Sequence, residues 1–278
     1  MKLSIITINY NNAEGLRRTM ESVLNQSCRD FEYIVIDGGS SDASKDIILS
    51  HRDRLAYWVS ESDKGIYNAM NKGIRAATGE YCLFLNSGDT MVSPDSLKRS
   101  IGMLGDYDIH SFSLESIRGN IKYTQIPPAE ISFYSFYRSS LPHPSTFIRR
   151  VLFDRVGLYN EAYRIVSDWC FFIDACIKHH ASYKAEEMVI SHFAAGGISS
   201  ENGDKAKIEE DDYLIKHYAR LRTDYVEDEA ISNVALFISQ QKGALKQVLL
   251  FPFLVLNRLL HLRNRLAKRI RVKSERIA

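Results

Sequence analysis

The sequence predicts an α/β protein, a mostly parallel sheet with helices on both faces. Three observations lead there. Strand-like and helix-like segments alternate four times within the first 90 residues, the rhythm of parallel strands joined by helical crossovers. The helical segments carry apolar residues at helical spacing, as in Leu16, Met20, Val23 and Leu24. The four strand ends read "NYNN", "DGGSSD", "SESDKG" and "NSGD". In open α/β sheets that edge is where ligands bind.

The elements follow in order. Residues 3–8, "LSIITI", read as a buried strand, and Asn12 is placed to cap the helix after it. "EYIVID" (32–37) is the second strand, and "SDASKDIILS" is a helix with Ser41 or Asp42 near its start. "LAYWVS" (55–60) is the third strand. "KGIYNAMNKGIRAAT" (64–78) is helical, with Tyr67, Met70, Ile74 and Ala77 on one face and Gly79 as its C-cap. "EYCLFLN" (80–86) is the fourth strand. Beyond it the pattern loosens: a helix over 94–105, a strand pair over 108–126 turning at Gly119-Asn120, a strand in "SYKAEEMVISHF", and helices over 204–222 and 226–242.

Composition bounds the rest. At 278 residues, 45% hydrophobic and 25% charged, the chain can bury a sizeable core. Disorder and a disulfide-stapled miniprotein are excluded. The net charge of +2 argues against bulk nucleic-acid affinity. That total conceals a split: residues 244–278 hold nine Lys/Arg and one acid, leaving 27 bases and 33 acids elsewhere. Leu256, Leu259, Leu260, Leu262, Leu266 and Ile270 interleave with the tail's bases. Residues 253–272 therefore read as a basic amphipathic segment for an anionic membrane surface. Packing on the body or homodimer formation is the alternative. The apolar run 248–256, broken by Pro252, is too short to span a bilayer. "MKLSIITINYNN" lacks the long apolar core of a signal peptide, so a cytoplasmic protein is expected. Cys28, Cys82, Cys170 and Cys176 show no CxxC spacing and read as reduced thiols.

Two carboxylates stand out. Asp37 ends a strand before two glycines, where it can bond a ribose or base while glycine admits a ligand to the backbone. The GxGxxG dinucleotide fingerprint is missing. Asp89 ends "NSGD", with Asn86 three residues earlier, oxygen chemistry that suits a hard divalent cation. A plain turn is the alternative.

Here a resemblance enters. "SIITINYNN", "IVIDGGSSD", "ESDKGIYNAMNKGIRAATGEYCLFLNSGD", "HPSTFIRR", "GLYNEAYRIVSDWCFF" and "GGISS" closely resemble, in order, the family 2 inverting glycosyltransferases. The likeness is to the bacterial branch that builds exopolysaccharide, colanic-acid-like or O-antigen sugars. It covers about residues 1–200. It implies a GT-A fold, a Rossmann-like mixed sheet with helices on both faces, to which the helical pattern beyond 204 adds a C-terminal extension. The resemblance implies a transferase domain over 1–203 (1–90 nucleotide-binding, 91–203 acceptor); the helical pattern sets off 204–243 as a helical extension and the charge split sets off 244–278 as the basic segment. The resemblance also implies a nucleotide-diphosphate sugar donor, held by Thr7, Asn9, Tyr10, Asp37, Gly38, Asp63, Lys64, Asn86 and Ser87. Mg²⁺ or Mn²⁺ would sit on Asp89 with His192. The family's DXD reads Asn86-Ser87-Gly88-Asp89 here, so only its final carboxylate remains. Asp168 in "SDW" matches the catalytic base, and His143 and Trp169 would line the acceptor site.

Each assignment has a plainer counterpart: Asp168 as a helix cap, His143 as a loop-fixing residue, His192 as a strand-end polar group, Trp169 as core. The expected reaction is inverting transfer of a sugar to a hydroxyl of a lipid-linked saccharide at the inner face of the cell membrane, in bacterial surface polysaccharide synthesis. A nucleotidylyltransferase is one rival, although "NYNNAEG" lacks the basic glycine-rich loop it would need. A non-catalytic nucleotide-sugar-binding module is the other.

Overall fold

The computed structural model describes residues 2–118, 121–194 and 202–240, together with Pro252. The Gly119-Asn120 turn, the "AGGISS" loop and, Pro252 apart, the basic segment 244–278 lie outside the described residues.

The first strands form as the apolar runs dictate. β1 (Leu3–Asn9) is buried along its whole length. It pairs in parallel with β2 (Phe31–Asp37) on one side and β4 (Tyr81–Phe84) on the other. β3 (Tyr57–Ser60) adds in parallel to β2. Both faces of β1 are covered, so it shows no polar alternation. Leu3 and Ile5 belong to a core with Leu16, Met20 and Val23 of α1 (Ala13–Leu24) and Ile47 and Ile48 of α2 (Ser44–Ser50). Each such side chain contributes about 1.5–3 kcal/mol when fully buried. Against Ile6 lies α3 (Ile66–Ala76), so close at Gly73 that a Cβ there would collide with the isoleucine.

Asn12 caps α1, its side chain accepting from Gly15 N. Gly79 has a different role from the expected one. The cap of α3 is Ala77, in extended geometry. Gly79 is instead a point of close approach, where a Cβ would sit 2.6 Å from Ser4 N. Its own N–H reaches Ser4 Oγ at 2.9 Å and the buried Glu32 carboxylate at 3.0 Å.

Past β4 the sheet becomes mixed. β5 (Thr90–Met91), β6 (Ile109–Arg118), β7 (Ile121–Gln125), β8 (Thr146–Arg149) and β9 (Tyr183–Phe193) bring the sheet to nine strands among the described residues, in the order β3-β2-β1-β4-β8-β6-β9-β5, with β7 on β6. β8 runs antiparallel to both β4 and β6, whereas β9 runs parallel to β6. Helices α4 (Ser96–Met103), α5 (Phe133–Arg138), α6 (Val151–Val156) and α7 (Ser167–Ile173) accompany this half. A second aromatic core joins the halves: Phe84 stacks on His143 at 4.9 Å, and Tyr159 meets Phe84, Phe153 and Phe171 at 5.5–5.6 Å.

The C-terminal helical stretch, α8 (Gly203–Gln240), is two helices joined across a kink at Tyr218, where the backbone leaves helical geometry; the break falls a few residues before the expected one. The chain divides into compact units 1–213 and 214–278. All four cysteines are free thiols. No helix among the described residues is long and apolar enough to cross a membrane.

Candidate active site

The carboxyl edge of β1, β2, β3 and β4 carries the first half of the site. Asn9, Asp37 and Ser60 occupy one register row across three strands. Their side chains converge on the Asp37 carboxylate, which is fully buried. Oδ1 accepts from Asn9 Nδ2 at 2.7 Å and Ser40 Oγ at 2.5 Å, and Oδ2 from Ser60 Oγ at 2.7 Å and Ser40 N at 3.0 Å. Burial alone would raise this carboxyl, but donation from Ser40, Ser60 and Asn9 outweighs it and holds the group below its ordinary value. A carboxylate offers about four acceptor positions, and all are in use. Asp37 therefore ties strand ends together rather than presenting itself to a ribose or base.

The two glycines after it are needed by the protein's own chain. A Cβ at Gly38 would fall 2.5 Å from Asp63 Oδ2 and 3.2 Å from the Tyr10 ring. Gly39 is left-handed (φ +78°), with Ser62 N 3.0 Å from where its Cβ would be. Thr7 is likewise interior, its hydroxyl donating to Leu85 O at 2.7 Å. At the rim are Tyr10, 66% exposed, the half-buried Asp63, whose Oδ1 accepts from Gly65 N at 2.9 Å, and the exposed Lys64.

The NSGD loop is held from beneath by α1. Asn12 Nδ2 donates to Ser87 O at 3.1 Å, and Thr19 Oγ1 accepts from Gly88 N at 2.9 Å and lies 2.7 Å from Asp89 O. Gly88 is left-handed at φ +113°, a conformation glycine adopts without steric cost. Asp89 is 3% exposed, and its Oδ1 accepts the Ala194 N–H at 3.0 Å. Burial, only partly offset by backbone hydrogen bonds from Ala194 and Asn86, pushes its carboxyl up to about 7.

The second half centres on Asp168, in the first turn of α7. The cap position belongs to Val166, so Asp168 is not the N-cap. Its Oδ1 lies 2.7 Å from the Tyr67 hydroxyl of α3, which also donates toward Ile165 O at 2.6 Å. The same helix grips the segment leading to α7. Asn71, 2% exposed, pairs with Tyr159 through both backbone atoms: Nδ2 to Tyr159 O at 2.9 Å, and Tyr159 N to Oδ1 at 3.0 Å. Asn68 and Asn71 both donate to Glu161. From the start of α8, Glu209 accepts from the backbone N–H groups of Arg164, Ile165 and Val166 at 2.9–3.3 Å. A cleft of about 340 Å³ opens here, its walls including Lys64, Tyr67, Glu161, Arg164, Ile165 and Lys205.

A family model described as glycosyl transferase family 2 matches residues 4–175. The chain belongs to glycosyl transferase family 2. Curated relatives agree. A PGL/p-HBAD biosynthesis glycosyltransferase of Mycobacterium bovis is 31% identical, over 73% of this chain and 80% of the relative. An uncharacterized glycosyltransferase of Mycobacterium tuberculosis is 32% identical, over 63% of this chain and 69% of the relative. The fold is GT-A-like. S. aureus TarS 1-349 in complex with UDP-GlcNAc superposes with a TM-score of 0.61 at 20% identity, over 73% of this chain; this chain spans 61% of that TarS chain. The mannosyltransferase PcManGT of Pyrobaculum calidifontis, in complex with GDP-Man and Mn²⁺, superposes with a TM-score of 0.58 at 15% identity, over 91% of this chain and 80% of that one.

In this glycosyltransferase several sequence-based assignments need correction. Trp169 is 3% exposed and its indole N–H donates to Phe136 O at 2.9 Å, so it is core and offers no face to a sugar. His143 is 7% exposed, bonded through Nε2 to the Tyr159 hydroxyl at 2.9 Å, and burial lowers its pKa. It sits inside the aromatic core and is not part of an acceptor surface. His192 pairs in register with Thr90, beside Asp89, but Nδ1 lies 3.3 Å from Glu115 Oε2 without hydrogen-bond geometry. No three His, Cys, Asp or Glu side chains converge on a cation position among the described residues.

A divalent cation nevertheless fits what remains. Asp89 is a buried carboxylate bonded by backbone N–H groups alone among the described residues, and Asn86 Oδ1 is a buried acceptor with no donor among them. Both are hard oxygen ligands, and Mg²⁺ needs only one or two carboxylates when phosphates and water supply the rest.

Sequence reasoning missed Thr19, Asn68, Asn71, Glu161 and Glu209. One signal was present. Asn71 lies four residues from Tyr67 on the apolar stripe of α3, and a buried amide on such a stripe requires a partner.

Proposed function

We propose that the chain transfers a sugar, with inversion, from a nucleotide-diphosphate donor to a hydroxyl of a lipid-linked saccharide in bacterial surface polysaccharide synthesis. The observation that carries this reading is Asp168, half-buried in the first turn of α7, whose carboxylate among the described residues is hydrogen-bonded to Tyr67 alone. Inversion needs a base on the acceptor side of the anomeric carbon. Asp168 would take the acceptor proton as the oxygen attacks. On the donor side, Tyr10 offers an exposed ring for the base, while Asp63 and Lys64 stand at the rim. The relatives support a nucleotide sugar, since the solved neighbours hold UDP-GlcNAc or GDP-Man. Asp89 and Asn86 would hold Mg²⁺ or Mn²⁺. Such an ion, when bound, neutralises the charge that builds on the departing diphosphate.

In this reading residues 1–203 perform the transfer and 204–243 extend them. The basic segment 244–278 docks the enzyme on the cytoplasmic face of the membrane, where the acceptor resides. Liposome flotation of the full chain against a 1–243 truncation tests the docking.

The activity test incubates the full chain with UDP- and GDP-sugars, Mn²⁺ and lipid-linked acceptors. Asp168→Asn is expected to bind donor normally and to lose at least about 100-fold in transfer, the low end for a general base. Transfer at the wild-type rate would remove Asp168 from the base role.

A further inference from the structure

We propose that Tyr67 is the positioning residue of Asp168: it engages Oδ1 in both protonation states of the carboxyl and leaves Oδ2 to receive the acceptor's proton. This rests on Asp168 being the base and names what aims it.

Three oxygens meet with one hydrogen. The Tyr67 hydroxyl is 2.7 Å from Asp168 Oδ1 and 2.6 Å from Ile165 O. An ionised carboxylate and a carbonyl only accept. While Asp168 is ionised, the hydrogen of Tyr67 serves Oδ1. Once Oδ2 has taken the proton, Oδ1 is the carbonyl oxygen of a carboxylic acid and still accepts from Tyr67, with Ile165 O as the alternative acceptor for the same hydrogen. The hydroxyl thus has a partner for its hydrogen in both states, and Oδ1 is never released. No side chain or backbone group among the described residues bonds Oδ2, so that oxygen takes the incoming proton before any rearrangement.

The geometry is rigid on every side. Tyr67 is 5% exposed, and its ring packs on Tyr159 at 5.6 Å. Burial first, and the charge of Asp168 next, hold its hydroxyl well above the ordinary value, so its hydrogen stays in place at neutral pH. The peptide that presents Ile165 O is pinned at its other end, where Val166 N donates to Glu209 Oε2 at 3.3 Å. Ile165 N donates to the same oxygen at 2.9 Å. The carbonyl therefore cannot turn away when Tyr67 is serving the carboxylate.

Tyr67→Phe removes one oxygen and keeps the ring. It is expected to lower kcat about 10–100-fold, the scale of a misplaced catalytic group, with the donor KM within about twofold of wild type. The deciding measurement is a cycle with Asp168→Asn. If Tyr67 acts through Asp168, adding Tyr67→Phe to Asp168→Asn costs less than about twofold more. The same loss in both backgrounds would make Tyr67 a packing residue and overturn the proposal. So would a wild-type kcat for Tyr67→Phe while Asp168→Asn is impaired, and in that case the base reading stands. No loss in Asp168→Asn itself would overturn the base reading and this proposal with it.

Discussion

Asp37→Asn separates two roles that one strand-end carboxylate could have. If Asp37 touched the nucleotide, the amide would weaken donor binding and leave stability nearly unchanged. The structure predicts the reverse. Four donors converge on the carboxylate from three strand ends. Asparagine keeps one acceptor oxygen. With that oxygen toward Asn9 and Ser40 Oγ, the new NH₂ faces Ser60 Oγ and Ser40 N. The serine hydroxyl can turn to accept, but the Ser40 N–H cannot. One stranded buried N–H costs about 1–3 kcal/mol. The bonds that survive lose charge assistance, which roughly halves them. The expected loss is about 2–4 kcal/mol, or a fall of about 1 M in urea midpoint at a slope near 2–3 kcal/mol/M. The sign with pH is also set. The folded-state pKa of Asp37 is depressed, so its contribution is fully present above the unfolded value of about 3.9 and is lost as pH falls through the folded value. Urea titrations of both proteins at pH 7 and pH 3 measure this: the gap should shrink at the lower pH. A mutant as stable as wild type at pH 7, with donor binding alone impaired, would refute the structural role.

Asp89 has the opposite sign. Its carboxyl is pushed up to about 7, so without cation its contribution is most favourable below about pH 4 and is lost as pH rises through 7. In chelator, Asp89→Asn should gain on wild type between pH 4 and pH 8 by on the order of 4 kcal/mol; a pH-independent difference in thermal melts would contradict this. Asn71→Ala strands both backbone groups of Tyr159 and should cost about 2–4 kcal/mol, read by denaturant titration. A loss below about 0.5 kcal/mol would mean that water replaces the amide.

The sequence alone determined the parallel half of the sheet and the edge on which the polar loops gather. Apolar runs buried on both faces of a strand, and helices of regular apolar spacing, are local signals that need no knowledge of distant partners. β1, α1 and the cap at Asn12 follow from such signals, and the ordered motifs were enough for the family. Which polar residues at that edge remain available was not legible. Asp37, Thr7 and Gly38 look like ligand contacts in one dimension, yet their bonding capacity or their space is taken by Ser40, Ser60, Leu85 and Asp63. His143 and Trp169 read as surface chemistry until the aromatic core closes over them. The grip of α3 on the segment before α7 joins residues about 90–100 positions apart. Only tertiary structure decides such matters, because a polar side chain's role depends on which partners reach it first, and those partners come from elsewhere in the chain.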